Sequence, residues 1–139
     1  MSLFVDTSAI LALVDADQER HQAVSGAWDA ALDSGRALYT SNYVLVETLA
    51  LVQRRLGLAA ARDVSTALMP LLSALWVDET LHETALAAVL AAGSRGLSLV
   101  DCTSFEIMRR HGLGEALTLD HDFARQGFRV APAPGARNA

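Results

Sequence analysis

The sequence contains no lysine, and all 11 of its basic residues are arginines. This absence excludes functions that need a lysine ammonium, such as a Walker-A phosphate loop, Schiff-base catalysis or the phosphorelay of receiver domains. Cysteine is nearly absent as well, with Cys102 as the single example. One cysteine cannot form an internal disulfide or supply a Cys₄ or Cys₂His₂ zinc site, so neither feature stabilises this chain.

Long hydrophobic runs are also missing, although apolar residues make up 52% of the chain. The longest stretch without a charged residue, Val64–Val77, has 14 residues and contains Pro70, whereas a membrane-spanning helix needs about 20 residues. The early apolar run Ala9–Val14 follows Asp6 and has no positively charged leader, unlike a secretory signal. We therefore expect a soluble, cytoplasmic protein that has no membrane partner.

Positive charge is in the minority, since the formal net charge at pH 7 is −5. An acidic chain is a poor general match for nucleic acid, because phosphate contacts favour a basic surface. The balance changes if four of the carboxylates enclose divalent cations. The rest of the chain then carries −1, which is −5 with four negative charges set aside, and the bound ions themselves attract phosphate.

The chain has the size of one domain, and its pattern predicts strands that alternate with helices. Strands are predicted at 3–5, 37–39, 75–77, 116–119 and 128–130. Helices are predicted after a Thr7 or Ser8 cap, at 19–32, from a Thr40 or Ser41 cap to 55, at 59–72, at 79–92, and from Ser98 or Asp101 to 110. This alternation predicts an α/β sandwich with a mainly parallel sheet over residues 1–131, followed by a disordered tail at 132–139.

Four acids lie on four of these predicted elements: Asp6, Glu47, Asp101 and Asp120. Each has an ordinary alternative explanation when it is taken alone. Asp6 and Asp101 could cap helices, Glu47 could be an exposed helical glutamate, and Asp120 could belong to a solvated turn with Asp122. Taken together, they are acids that a parallel sheet would gather at the carboxyl ends of its strands.

Carboxylates that meet in this way repel one another, and a hard divalent cation relieves the repulsion. Mg²⁺ favours carboxylate oxygens and keeps several waters in its coordination shell. We therefore expect one or two Mg²⁺ or Mn²⁺ ions at Asp6, Glu47, Asp101 and Asp120. Asp122 is either a spare ligand or an exposed turn residue.

Four segments carry a resemblance to a known family. They are residues 4–9 (FVDTSA), 40–47 (TSNYVLVE), 97–105 (LSLVDCTSF) and 116–123 (ALTLDHDF). In order, spacing and flanking residues, the chain from residue 3 to about 130 resembles the PIN-domain family, particularly the VapC-type toxins of bacterial toxin–antitoxin pairs. The resemblance implies a flavodoxin-like α/β/α fold and hydrolysis of RNA phosphodiester bonds, with Asp6, Glu47, Asp101 and Asp120 as the acidic set.

Further expectations follow from this resemblance. One or two ions would polarise the phosphate and activate a water, which Glu47 orients, and the products would carry 5′-phosphate and 3′-hydroxyl ends. Ser8, Asn42 and Thr118 are candidates for orienting the ligating carboxylates through hydrogen bonds. VapC-type toxins imply a homodimer and a cognate antitoxin whose arginine or lysine enters the acidic site and competes with the metal.

Two other functions remain open. A different Mg²⁺-dependent phosphohydrolase, such as a haloacid-dehalogenase-type phosphatase, needs a second acid two residues after its nucleophilic aspartate. Position 8 is serine here, and the lysine used by that family is absent. The other alternative is a non-catalytic interaction module that keeps the PIN fold, and the retained acids argue against it.

Overall fold

The computed structural model describes residues 1–135, and its centre is a five-stranded, all-parallel sheet. The strands are β1 (Ser2–Val5), β2 (Ala37–Ser41), β3 (Ser73–Leu75), β4 (Glu115–Leu117) and β5 (Arg129–Ala131). Their order across the sheet is β3-β2-β1-β4-β5, so β1 is central. Phe4 on β1 is in register with Tyr39 on one side and Ala116 on the other. The predicted α/β architecture with a parallel sheet is confirmed.

Within the described residues, seven α-helices cover the two faces of this sheet. They are α1 (Thr7–Val14), α2 (His21–Asp33), α3 (Asn42–Leu56), α4 (Leu58–Asp63), α5 (Glu79–Ala92), α6 (Leu99–Arg110) and α7 (Asp122–Arg125). Connections between parallel strands are right-handed in nearly all proteins, because of the twist of the strands. With this strand order, the rule places α1–α4 on one face and α5–α7 on the other, which gives the three-layer sandwich.

The core is continuous from the central strand into both helical layers. Phe4 and Val5 on β1 are fully buried, as is Ile10 on the inner face of α1. On the opposite side, Phe105 of α6 meets Phe123 of α7 edge-on, with ring centroids 4.9 Å apart. Edge-to-face aromatic pairs add to the free energy gained by burial. This packing fixes α6 and α7 to each other.

The strand predictions were wrong at their ends. The third strand is Ser73–Leu75 rather than 75–77, because Leu75 pairs with Ser41 at the end of β2. The fourth strand ends at Leu117 rather than 119, since the backbone N–H of Leu119 donates to the Ser8 side chain. The fifth strand is Arg129–Ala131, one residue later than predicted.

The helix predictions were closer to the structure. Ser41 and Ser98 cap α3 and α6, as two of the predicted alternatives required, and α5 has the predicted bounds 79–92. The helix predicted at 59–72 is regular only to Asp63 and then becomes a π-helical turn, Val64–Leu68, and a 3₁₀ turn that contains Pro70. Proline cannot donate a backbone hydrogen bond, so the α-helical pattern cannot continue regularly through residue 70. Helix α7 was not predicted.

Two predictions concern the whole chain. Within residues 1–135, no helix combines the length and apolar character needed to cross a bilayer. The tail predicted to be disordered begins at Pro132, and the Arg20 guanidinium donates to the Ala133 carbonyl over 3.1 Å. Residues 136–139 of that tail lie outside the described residues, so the domain boundary stays a prediction.

Candidate metal centre

The acids lie at the carboxyl edge of the central strand β1 and its neighbour β4. Asp6 follows β1 directly, and Asp120 lies three residues beyond the end of β4, the neighbouring strand. Glu47 lies in the second turn of α3, which begins where β2 ends, and Asp101 lies in the first turn of α6. This is the edge at which α/β sheets bind their ligands.

Asp6 is a buried carboxylate held by two hydroxyls. Ser8 Oγ donates to Asp6 Oδ2 over 2.7 Å, and Thr118 Oγ1 donates to the same oxygen over 2.9 Å. Each hydroxyl also accepts a backbone N–H from the loop after β4, Ser8 from Leu119 and Thr118 from Asp120. The two side chains therefore connect β1 to the loop that carries Asp120. Within residues 1–135, they leave Asp6 Oδ1 as the oxygen without a hydrogen-bond partner.

The surroundings of Asp6 disfavour its charge. Burial raises the pKa of Asp6 from 3.8 to about 6, with a smaller upward contribution from the negative charges of Asp101 and Asp120. The hydrogen bonds from Ser8 and Thr118 act in the opposite direction and lower the pKa. A cation at Oδ1 would favour the ionised carboxylate and offset the cost of burying it.

Helix capping, the alternative explanation for both Asp6 and Asp101, applies to Asp101 but not to Asp6. Asp6 occupies the N-cap position of α1, yet its carboxylate bonds Ser8 and Thr118 instead of a backbone N–H of the described helix. Asp101 does cap: its Oδ2 accepts from the backbone N–H of Ser98, and its own N–H donates to Ser98 Oγ, which forms a reciprocal capping box. Capping uses one oxygen of Asp101 and orients the other.

Asp101, Asp120 and Asp122 form the tightest group of acids. One carboxylate oxygen from each lies within 4.8 Å of the others. Burial, followed by the charges of Asp101 and Asp122, raises the pKa of Asp120, while a hydrogen bond from the Asp122 backbone N–H lowers it. Asp122 also binds Arg125, whose Nη1 lies 2.9 Å from its Oδ1.

Glu47 lies on α3, in the helical layer opposite to that of Asp101, and among the described residues it is outside the group of three aspartates. It is half-buried on α3, and burial together with the charge of Asp101 raises its pKa. A hydrogen bond from the Thr7 hydroxyl lowers the pKa in part, and Thr7 in turn accepts from Thr48 over 3.3 Å. Thr7 was not among the candidates from the sequence, although its position beside Asp6 could have pointed to it. The charge of Asp101 acts on Asp6, Glu47 and Asp120, which places Asp101 centrally.

The donor set fits a hard divalent cation. All of the groups are carboxylates, the oxygens that Mg²⁺ and Mn²⁺ prefer. Two ligands on opposite sides of Mg²⁺ are about 4.2 Å apart, close to the 4.8 Å within which the three aspartate oxygens lie. The unbonded oxygen of Asp6 is also consistent with a bound cation, as are the raised pKa values of Asp6, Glu47 and Asp120, which are caused first by burial and then by neighbouring negative charges.

Two other residues considered in the sequence analysis are Asn42 and Cys102, and the structure shows the surroundings of each. Asn42 Oδ1 accepts the backbone N–H of Val77 over 2.7 Å, so this oxygen holds the connection between β3 and α5. The role predicted for Asn42 in orienting a carboxylate stays a prediction. Cys102 is buried beside Asp101, and burial raises the pKa of its thiol, which disfavours the reactive thiolate.

Comparisons with known proteins agree with this fold. The model of the PIN domain matches residues 3–129. Two curated relatives, both named 23S rRNA-specific endonuclease VapC20 and from Mycobacterium tuberculosis strains CDC 1551 and H37Rv, are 36% identical over 129 residues, covering 91% of this chain and 95% of theirs.

Two solved structures extend the comparison. The crystal structure of Mycobacterium tuberculosis VapC20, described as a sarcin–ricin loop cleaving toxin, matches with a TM-score of 0.80 and 35% identity over 91% of this chain and 96% of that one. FitAcB from Neisseria gonorrhoeae, with 17% identity and a TM-score of 0.68 over 92% of this chain and 95% of that one, shares the fold. By its sequence match, its sheet order and its gathered acids, this chain belongs to the PIN-domain family.

Proposed function

We propose that this protein is an endoribonuclease that hydrolyses RNA phosphodiester bonds with the help of Mg²⁺ or Mn²⁺, and that it is the toxin of a VapBC-type toxin–antitoxin pair. The observation that carries the proposal is the convergence of buried and half-buried carboxylates at the carboxyl edge of β1 and β4. Similarity to an endonuclease over nine-tenths of the chain supports the same reaction class.

Asp101 and Asp120, which share the group of three aspartates with Asp122, would hold the cation together with Asp6 and Glu47. When bound, the ion would polarise the phosphate and lower the pKa of a coordinated water. Ser8 and Thr118 fix the Asp6 carboxylate, and the Ser98 capping box fixes Asp101, so both are oriented before the ion arrives.

Glu47 is suited to orient the attacking water and to accept its proton. Burial raises the pKa of Glu47, which makes it a better proton acceptor near neutral pH than an ordinary exposed glutamate, while the Thr7 hydroxyl lowers that pKa in part. In-line attack of that water would leave a 5′-phosphate and a 3′-hydroxyl. Whether one or two ions take part depends on filling a second position about 3.5 to 4 Å from the first.

The partners in this proposal are RNA, a second copy of the chain and a cognate antitoxin, all in the cytoplasm. The strong negative field of the site favours an antitoxin that inserts an arginine or lysine, which would compete with the metal. An apolar groove of about 440 Å³, lined by Leu13, Trp28, Leu68 and Leu71 among others, offers a protein partner a separate contact surface. Leu71 in this groove is half exposed.

The names of the relatives direct the choice of substrate for the test. The proposed experiment compares cleavage of end-labelled single-stranded RNA and of 23S rRNA by partner-free protein in Mn²⁺ and in EDTA. We expect cleavage that requires the metal and products with 5′-phosphate ends. Binding of RNA without cleavage in either condition would favour the alternative of a non-catalytic PIN-fold module.

A further inference from the structure

One arginine lies directly against the acidic site. Nη1 of Arg125 is 2.9 Å from Oδ1 of Asp122, and Asp122 shares its group with Asp101 and Asp120. In residues 1–135, Arg125 is the one arginine that forms an ion pair with a member of this group. If the metal supplied all the positive charge that the site requires, no arginine would be needed beside the carboxylates proposed to bind it.

The position of Arg125 is set by the core rather than by the ion pair. Helix α7 has four residues, and Phe123 in its first turn is fully buried against Phe105 of α6. Since α6 also carries Asp101, one aromatic contact fixes the helix of Arg125 relative to the metal centre. An exposed ion pair stabilises a protein by only about 0 to 1 kcal/mol, so stability alone gives little reason for this arginine.

The guanidinium of Arg125 has N–H donors that the ion pair with Asp122 does not use. Arginine carries five N–H donors in a planar fork, and the side chain is 76% exposed, so most of these donors face solvent. Several other arginines are engaged elsewhere: Arg36 pairs with Glu115, Arg110 with Glu106, and Arg109 bonds Gln126. A planar fork with free donors matches the oxygens of a phosphodiester.

Taking the proposed function as its basis, we infer that Arg125 binds a backbone phosphate of single-stranded RNA beside the scissile bond, with Asp122 as its positioning residue. The arginine places a positive charge beside the three aspartates, where an RNA phosphate that approaches these carboxylates would meet it. The ion pair orients the guanidinium, and the exposed donors receive the phosphate.

The test compares Arg125→Ala with Arg62→Ala, a matched loss of an exposed arginine on α4, in saturating Mn²⁺. Loss of one charged phosphate contact should raise KM for a single-stranded RNA roughly tenfold and leave kcat within about twofold, because the contact is made before the reaction. The slope of log(kcat/KM) against log salt concentration should become shallower by about 0.7, the value for one phosphate of a single strand. Arg62→Ala should match wild type in each measurement, and Arg125→Lys should recover part of the KM.

Affinity for Mn²⁺ in the absence of RNA distinguishes phosphate binding from a purely structural role. If Arg125 only held the site together, Arg125→Ala would weaken Mn²⁺ binding. Removing a cation beside the carboxylates should leave Mn²⁺ binding unchanged or tighter, while RNA binding weakens. A wild-type KM and salt slope in Arg125→Ala, or weaker Mn²⁺ binding together with a raised KM, would overturn the inference. If wild type and Arg62→Ala both fail to cleave RNA, the proposed function itself is wrong, so the two failures are distinguishable.

Discussion

Replacing Asp6 with asparagine tests how much the buried charge costs the metal-free protein. Asparagine has the same shape and keeps an oxygen that can accept from Ser8 and Thr118, the two hydroxyls that hold Asp6 Oδ2. What changes is the charge and the group at Oδ1, which becomes an NH₂. The substitution therefore removes the ionisation of this carboxyl while preserving its two hydrogen bonds.

The magnitude follows from the pKa of Asp6. A rise from 3.8 to about 6 means that ionisation costs the folded state about 3 kcal/mol more than the unfolded state. Asp6 is 4% exposed, so solvent screening reduces this figure little. An NH₂ group without a full set of partners costs about 1 kcal/mol, which leaves an expected gain of about 2 kcal/mol for Asp6→Asn in EDTA.

The sign of the pH dependence is fixed by the same pKa. Because the folded pKa is the higher one, wild type loses stability as pH rises from about 4 to about 6, and the loss is complete above that range. The asparagine variant has no such loss at this position. Its advantage should be small at pH 4.5 and reach its full value at pH 8.

Thermal unfolding followed by circular dichroism in EDTA measures the difference. At pH 8 we expect Asp6→Asn to melt roughly 6 °C above wild type, since 1 kcal/mol moves the midpoint of a domain of this size by about 3 °C. Asp29→Asn, an exposed aspartate of α2, is the matched control and should show no difference that depends on pH. A lower midpoint for Asp6→Asn at pH 8, or a difference that is the same at both pH values, would refute the reasoning.

Three further predictions concern the neighbours of Asp6. Asp101→Asn keeps an oxygen for the Ser98 capping box, so we expect a higher melting point than wild type in EDTA and a smaller or reversed difference in saturating Mn²⁺, measured by calorimetry. Ser8→Ala and Thr118→Ala each remove a hydroxyl that orients Asp6, and Mn²⁺ titration should show affinity reduced by roughly 10- to 100-fold. Glu47→Gln should fold normally but lower kcat for RNA by roughly 10² to 10⁴ with little change in KM, as measured by steady-state kinetics. Unchanged Mn²⁺ affinity in both hydroxyl variants, or a wild-type kcat in Glu47→Gln, would remove the roles given to these residues.

The sequence predicted a strand well where its apolar residues are buried, and poorly where apolar residues are exposed or the strand residues themselves are small or polar. The central strand, predicted at 3–5, was correct except that it begins at Ser2, because Leu3, Phe4 and Val5 are all buried. The third strand lies at the sheet edge, and its residues Ser73 and Ala74 are exposed, while the nearby Trp76 is 74% exposed. Hydrophobicity therefore placed the strand two residues too late, and pairing with β2 identifies the correct bounds.

The site shows a similar division between local and tertiary information. Asp6 and Asp101 both stand at the start of a helix, so sequence alone left capping open for both. The structure separates them, because the partners of Asp6 include Thr118, which is 112 residues away in the chain. The short helix α7 was missed for a related reason, since it depends on the contact of Phe123 with Phe105 rather than on local propensity.

We propose that the gathered carboxylates hold a divalent cation and that RNA hydrolysis by this protein requires it. The most direct measurement follows cleavage of single-stranded RNA against Mn²⁺ concentration for partner-free wild type, Asp6→Asn and the control Asp29→Asn. We predict that wild type and Asp29→Asn share one saturable dependence on Mn²⁺ and lose cleavage in EDTA, while folded Asp6→Asn retains little activity at any concentration. Cleavage that persists in EDTA, or equal rates in Asp6→Asn and wild type, would contradict the claim.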